Sequence, residues 1–419
     1  MSPILTVAAD LVRRGHEVVV YTGSRFEERA LATGARFQAL PPEADLDDRT
    51  LDALFPARAA LPPGPAQLSF DFQNFFLGQL PAQVRGLRAL LATFPADVVL
   101  GELGFWSIPV LSLSTAPAER PTLVTLGSVP LLIQSEDTPA FGTGILPTPG
   151  AEARARNRAM NAEVRRLFAE LQTFGEATLE SVGVTMSDYL FDAPFRRTDH
   201  YLQLTVPSFE YPRSDLPEHV QFVGTLPPAA SGDYVKPAWW PELSAGRPVV
   251  VVTQGTVANT DLNELVIPTV RALAGLDVLV VAATVREDGP ELVRRALAEV
   301  PDNVRLASFV PFDRLLPHAD ALVTNGGYGG VQTALYHGVP LVVAGASEDK
   351  PEVAARVEWS GTGVNLRTRV PEVAELRAAV RTVLHDPGYR SQARIMAKEI
   401  GQYNPFDAIA DIVDVSARR

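Results

Sequence analysis

The residues best suited to do chemistry lie in VTNGGYGGVQTALYHGVP (323–340), where a strand-like run enters four glycines and then a helical pattern. Glycine lets backbone N–H groups approach an anion closely, and a helix N-terminus adds partial positive charge. Together, Gly327, Gly329 and Gly330 form a candidate diphosphate cradle, with the Asn325 amide as a further donor. Three other stretches offer complementary chemistry just past a strand. TQGT (253–256) presents Gly255 and Thr256 to a phosphate. FVPFDRLLPHA (309–319) presents the Phe309 ring and the Val310 backbone, which can stack on and hydrogen-bond a nucleobase. ASEDKPE (346–352) places Asp349 and Lys350 where a carboxylate and an ammonium can grip sugar hydroxyls. Each also has a plain structural reading: Phe309 a core ring, Thr256 a helix cap, Asp349 and Lys350 a solvated pair, the glycines a tight turn.

Such loops act together only if a sheet brings them together. From Pro248 onward, short apolar runs alternate with amphipathic segments: VVVVT (249–253), a helix over 262–274, DVLVVAAT (277–284), a helix over 292–298, NVRLASFV (303–310), ALVTNGG (321–327), a further helix, and VPLVVAG (339–345). This is the pattern of a parallel sheet covered by helices on both faces, whose ligands bind at the carboxyl ends of the strands. The first half repeats it less cleanly, with strands at 18–21, 97–100 and 122–126 and a long helical stretch over 151–179. Ile4, Leu5, Val7, Ala8, Leu11 and Val12 recur at helical spacing ahead of Gly15, so the chain opens on a helix where a strand is expected. A proline-rich stretch (209–242) reads as a linker with its hinge near 226–239. The expected division is 1–225, 226–400, and a C-terminal helix over 401–419 that could cross back to the first unit.

Composition excludes several classes. With 37 Lys and Arg against 49 Asp and Glu, the net charge of -12 repels a nucleic-acid backbone. No apolar run reaches the roughly 18 residues that cross a bilayer. The absence of cysteine rules out disulfides, thiol nucleophiles and Cys-ligated metals, and the six histidines lack metal-ligand spacing. With no secretory signal visible, a cytoplasmic address is expected.

The order FVPFDRLLPHADALVTNGGYGG…HGVPLVV…EDKPEVAARV resembles the donor half of the GT-B nucleotide-sugar glycosyltransferases, specifically family-one enzymes of the antibiotic and macrolide type. The resemblance covers nearly the whole chain and is strongest over 249–386. It implies two facing Rossmann-like domains, the acceptor held by the first and a nucleoside diphosphate sugar by the second. It also implies metal-independent transfer with inversion to a hydroxyl of a lipophilic small molecule, with the sugar nucleotide a co-substrate and no cofactor. By position, Phe309 resembles the base-stacking aromatic and Val310 the residue whose backbone reads the base. Thr256, Gly327, Gly329 and Gly330 resemble the diphosphate loops, and Asn325 stands where a histidine is usual. Thr333 stands where a glutamate often meets the ribose, which resembles enzymes using deoxythymidine diphosphate sugars, and Lys350 stands where glutamine is common.

In such enzymes a first strand ends in Gly-His-x-x-Pro, its histidine being the general base. Aligning Pro3 with that proline puts the histidine one position before Met1, so the chain is expected to begin inside the motif, lacking the base and a central strand. Glu102 matches the acid that orients the base. His16, after a helix cap at the far end of a strand, is assigned a structural role. Phe70, Phe72, Phe75, Phe76 and Trp106, with Phe105, are candidates for an apolar acceptor pocket, whereas Trp239 and Trp240 read as domain packing. A catalytically impaired sugar-nucleotide-binding protein is the alternative reading, and a sugar-nucleotide epimerase ranks behind it.

Overall fold

The computed structural model describes residues 3–47, 51–62, 64–228, 231–232, 234–255, 259–297 and 299–418. Its second half explains itself from the valines outward. In β7 (Val249–Thr253) every residue is buried. Val249 and Val251 face one core with Leu279, Val281, Leu322, Leu341 and Val343. Val250 and Val252 face the opposite core with Val280, Ala282, Val323 and Val342. Period-two alternation into two apolar layers, at about 1.5–3 kcal/mol per buried valine or leucine, makes this a sheet covered on both sides.

The other strands of this sheet are β8 (Leu279–Ala283), β9 (Val304–Ala307), β10 (Ala321–Thr324), β11 (Leu341–Val343) and β12 (Gly363–Asn365). The order is β12-β11-β10-β7-β8-β9, and every neighbouring pair is parallel. The chain therefore lays β8 and β9 on one side of β7, then returns to lay β10, β11 and β12 on the other. The loops that follow β7 and β10 leave in opposite directions, which opens a crevice between them.

In the first half, β1 (Val19–Thr22) pairs with β2 (Arg36–Ala39) in a two-stranded parallel sheet. A separate parallel sheet runs β3 (Val98–Glu102), β4 (Thr122–Gly127), β5 (His200–Gln203) and β6 (Val220–Phe222). The opening helix spans Pro3–Arg13. The stretch expected as one helix over 151–179 is two, Ala151–Leu167 and Ala169–Ser181. It breaks at Phe168, where φ -103 and ψ 20 leave the helical region. The Phe168 ring is buried edge-on to Phe191, with centroids 5.2 Å apart.

The two halves share side chains. Val206 and Phe209, just after β5, lie in the second sheet's core, and Trp240 packs there with Trp239 stacked at 5.8 Å. The helix Pro405–Ser416 packs Ile409 and Ala410 against Val7, Leu11, Val124 and Leu202 of the first half. Asp407 pairs with Arg14 at 2.6 Å, and Ser416 donates to Thr122 at 2.9 Å. His16 pairs with Asp414 at 3.6 Å, at the amino end of β1 and away from the carboxyl ends of the strands. Among the described residues no helix is long and apolar enough to cross a membrane.

Candidate functional site

The crevice between β7 and β10 is lined by the two loops that the glycines build. After β7, the buried Gln254 holds the backbone in place. Its Nε2 donates to the Asp261 carbonyl at 2.9 Å, and its Oε1 accepts from the Leu265 and Val266 N–H groups at 3.2 and 3.1 Å. It thereby satisfies N-terminal donors of the helix Val266–Leu273, whose own N-cap residue supplies no side chain. Asn325, after β10, donates from Nδ2 to the Gln254 carbonyl and so braces the two loops together. A Cβ built on Gly255 would stand 3.7 Å from Asn325 Oδ1, and one on Gly327 3.9 Å, so the amide lies between the glycines of both loops. Thr256 lies outside the described residues.

Gly327 caps the helix Tyr328–Tyr336, so the N–H groups of its first turn point into the crevice. A Cβ on Gly329 or Gly330 would meet nothing within 4 Å, which leaves space for an anion at that turn. Gly326 is there for geometry: its φ is +84, and a Cβ would come within 2.7 Å of Val343 Cγ1. Thr333, one turn on, donates its hydroxyl to the Gly329 carbonyl at 2.8 Å.

Phe309 follows β9 and is 62% exposed, an open aromatic face at the carboxyl end of the sheet rather than a core ring. Val310 is the reverse, its side chain buried in the core while its backbone stays at the strand end. On the other flank, past β11, a Cβ at Gly326 would lie 3.7 Å from the Lys350 carbonyl oxygen. The Asp349–Lys350 turn therefore abuts the glycine loop directly. Glu348, with φ +58, holds a backbone conformation that side chains of its class rarely adopt, and its carboxylate pairs with the Lys350 ammonium. Burial pushes the Asp349 carboxyl above its ordinary value, and Lys350 opposes that shift.

In the first half, Glu102 ends β3 at its carboxyl edge and is half-buried. The phenylalanines divide into two groups. Phe70 and Phe75 form an edge-to-face cluster with Phe55, at 6.1 and 5.0 Å. Phe72 and Phe76 pack against the core that holds Leu77, Leu171 and Trp106. Trp106 requires a correction, because at 1% exposure it is a core side chain and lines no open pocket. A cavity of about 710 Å³ opens instead at the carboxyl ends of β1 and β2, lined by residues including Tyr21, Gln38, Leu40, Pro41 and Leu90 and by none of these aromatics.

Sequence reasoning overlooked the groups that tie the crevice to the first half. The buried Tyr328 accepts at its hydroxyl from Gln203 Nε2 at 2.9 Å. Gln332 Oε1 accepts from Thr205 and Thr225 at 3.0 and 2.8 Å. Arg356 lies between Glu210 at 2.9 Å and Glu352 at 3.0 Å, all three nearly inaccessible to solvent. Burial alone would raise the Glu210 carboxyl, but Arg356 and Arg213 hold it below its ordinary value. Val285, just past β8, has φ +55, an outlier for a β-branched residue, at the carboxyl edge of the sheet. Among the described residues no group of three or more His, Cys, Asp or Glu could hold a metal ion.

The chain is similar in sequence and in fold to known proteins. Residues 268–415 match the family described as erythromycin biosynthesis protein CIII-like, C-terminal domain. Over 417 residues the chain is 42% identical to the 4'-demethylrebeccamycin synthase of Lentzea aerocolonigenes, covering 99% of this chain and 95% of the relative. It is 37% identical to UDP-glycosyltransferase 2 of Phaeomoniella chlamydospora, covering 97% and 91%. The fold is similar to that of the kitacinnamycin glycotransferase, with a TM-score of 0.73 at 23% identity over 99% of this chain and 95% of the other.

Proposed function

The chain belongs to the GT-B nucleotide-sugar glycosyltransferases, and from that membership we propose that it moves a sugar from a nucleoside diphosphate to a hydroxyl of a lipophilic natural product. One observation carries the reading: an exposed aromatic, a glycine cradle and a polar turn converge on the carboxyl ends of β7, β9, β10 and β11. In this reading Phe309 stacks on the base while the Val310 backbone reads its edge. Gly255, Gly327, Gly329, Gly330 and Asn325 take the diphosphate, and Asp349 and Lys350 take the sugar. We divide the chain into an acceptor unit over 1–225, a donor unit over 226–400 and a returning C-terminal helix, and we place the reaction in the cytoplasm.

The acceptor oxygen attacks the anomeric carbon on the face opposite the diphosphate. The carbon–oxygen bond to the phosphate breaks, its electron pair leaves on the diphosphate, and the configuration inverts. Backbone N–H groups of the Tyr328 turn stabilise the charge that develops there. The acceptor proton passes to a general base, and we assign Glu102, at the carboxyl end of β3, the role the family resemblance gives it, the acid that orients that base. No metal enters the step, so a chelator should leave the rate unchanged. The direct test incubates the protein with UDP-glucose and dTDP-glucose and a panel of polycyclic and macrolide alcohols, with products read by mass spectrometry. A hexose added to an alcohol supports transfer, whereas conversion of the sugar nucleotide with no alcohol present would replace it with epimerase chemistry.

We assign the ribose preference to Thr333, whose hydroxyl is already spent on the Gly329 carbonyl. Thr333→Glu supplies a carboxylate for a ribose 2′-hydroxyl, and a hydrogen bond to a charged group contributes about 1.5–3 kcal/mol. The ratio of kcat/KM for UDP-glucose over dTDP-glucose should rise at least about tenfold. An unchanged ratio would show that the ribose lies elsewhere.

A further inference from the structure

The turn assigned to the sugar is held in place from the opposite half of the molecule. Helix Lys350–Trp359 starts at Asp349 and Lys350, and Glu352 follows within its first turn. Glu352 Oε1 accepts from the backbone N–H groups of Gly142 and Gly144 at 2.8 and 2.9 Å. Both glycines belong to the segment between β4 and the helix Ala151–Leu167, a run of more than twenty residues without regular structure. Loops of that length inside a compact protein are uncommon and are usually either functional or linkers. Gly144 also meets the helix directly: its φ is +60, and a Cβ there would lie 3.3 Å from the Pro351 carbonyl oxygen.

The same carboxylate continues into a buried chain of charges. Its Oε2 pairs with Arg356, Arg356 pairs with Glu210, and the Arg356 guanidinium lies 4.2 Å from the Tyr211 ring centroid. Glu210 in turn accepts from the Leu131 N–H at 2.9 Å, at the near end of the same segment. Arg213 completes the cluster, pairing with Glu210 at 3.4 Å and donating to the Leu131 carbonyl at 2.9 Å. The segment is thus fastened to the helix that carries Asp349 and Lys350 directly at Gly142 and Gly144, and at Leu131 by way of Glu210 and Arg356. The base and diphosphate loops at 255, 309–310 and 325–330 take no part in these bonds.

We propose that Glu352 is a positioning residue for the sugar: it docks the 131–144 segment of the first half onto the Asp349–Lys350 turn, so that the hexose is gripped only when the two halves are joined. The assignment rests on the donor reading above and specifies where sugar recognition, as distinct from nucleotide recognition, is built. Its consequence is selective. Loosening the dock weakens binding of the sugar nucleotide and leaves binding of the free nucleotide as it was.

The experiment titrates the full chain, as wild type, Glu352→Gln, Glu352→Asp and Gly144→Ala, with UDP, dTDP, UDP-glucose and dTDP-glucose by calorimetry. Glu352→Gln and Gly144→Ala should weaken the sugar nucleotide at least about fivefold relative to the free nucleotide that the protein binds, and Glu352→Asp should recover part of the loss. Gly144→Ala disturbs the dock without altering a charge, so it carries the test if Glu352→Gln does not fold. Equal losses for nucleotide and sugar nucleotide, or no loss for either, would overturn the positioning role and leave the donor site intact. If the wild type binds neither nucleotide, the donor reading fails and the positioning role falls with it.

Discussion

Gly330→Asp is expected to keep the fold and destroy donor binding. A Cβ at this position meets no atom within 4 Å, and the residue lies in the first turn of the helix Tyr328–Tyr336. An acidic side chain in a first turn favours the helix by about 0.3–1 kcal/mol, and removing a glycine from a helix adds to that. The melting temperature should therefore hold or rise. The diphosphate experiences the opposite effect. At about 5 Å and an effective dielectric of about 20, two unit charges repel by about 3 kcal/mol, roughly a hundredfold in affinity. Nucleotide titration beside a thermal melt checks both halves of this expectation. Undiminished affinity would place the diphosphate away from this turn, and an unfolded variant would contradict the open space seen above it.

Arg356→Ala is expected to be the most destabilising single change in the polar joint. It leaves Glu210 and Glu352 buried with one counter-charge fewer, and breaking a buried pair from one side costs about 3–5 kcal/mol. The sign of the pH dependence follows from Glu210. Its folded value is depressed below the ordinary 4.5, so the stability it contributes is fully present above that value and is lost as pH falls through the lowered one. Without Arg356 the largest charge opposing burial is lost and the Glu210 carboxyl rises relative to wild type, so the variant's deficit shrinks as the medium turns acid. The deficit against wild type should be largest at pH 7 and shrink towards pH 4 in urea unfolding. A deficit that stays constant with pH, or one under about 1 kcal/mol, would contradict the charge assignment.

What the sequence revealed and what it concealed follow from range. β7, β8, β10 and β11 were legible because runs such as VVVVT are apolar on both faces, the pattern of a covered parallel sheet. RFQA in β2, HYLQ in β5, VQF in β6 and GVN in β12 were not, since three or four mixed residues carry little local signal. The glycine loops and the exposed Phe309 at the strand ends were legible because glycines and an aromatic at such places have few other uses together. Trp106 misled because an aromatic run reads equally as pocket or core, and burial decides between them. The joint from Gly142 to Glu352 spans 210 positions, so no window along the chain could have shown it.

The claim on which the account depends is that the mouth of the larger sheet holds a nucleoside diphosphate. Calorimetric titration of the intact protein with UDP and dTDP, repeated in Phe309→Ala, measures it. Saturable one-to-one binding of at least one nucleotide is expected. That affinity should fall by about 1–3 kcal/mol when the stacking ring is removed, with no change in melting temperature. Folded protein that takes up neither nucleotide, or that binds one equally well without the Phe309 ring, would contradict it.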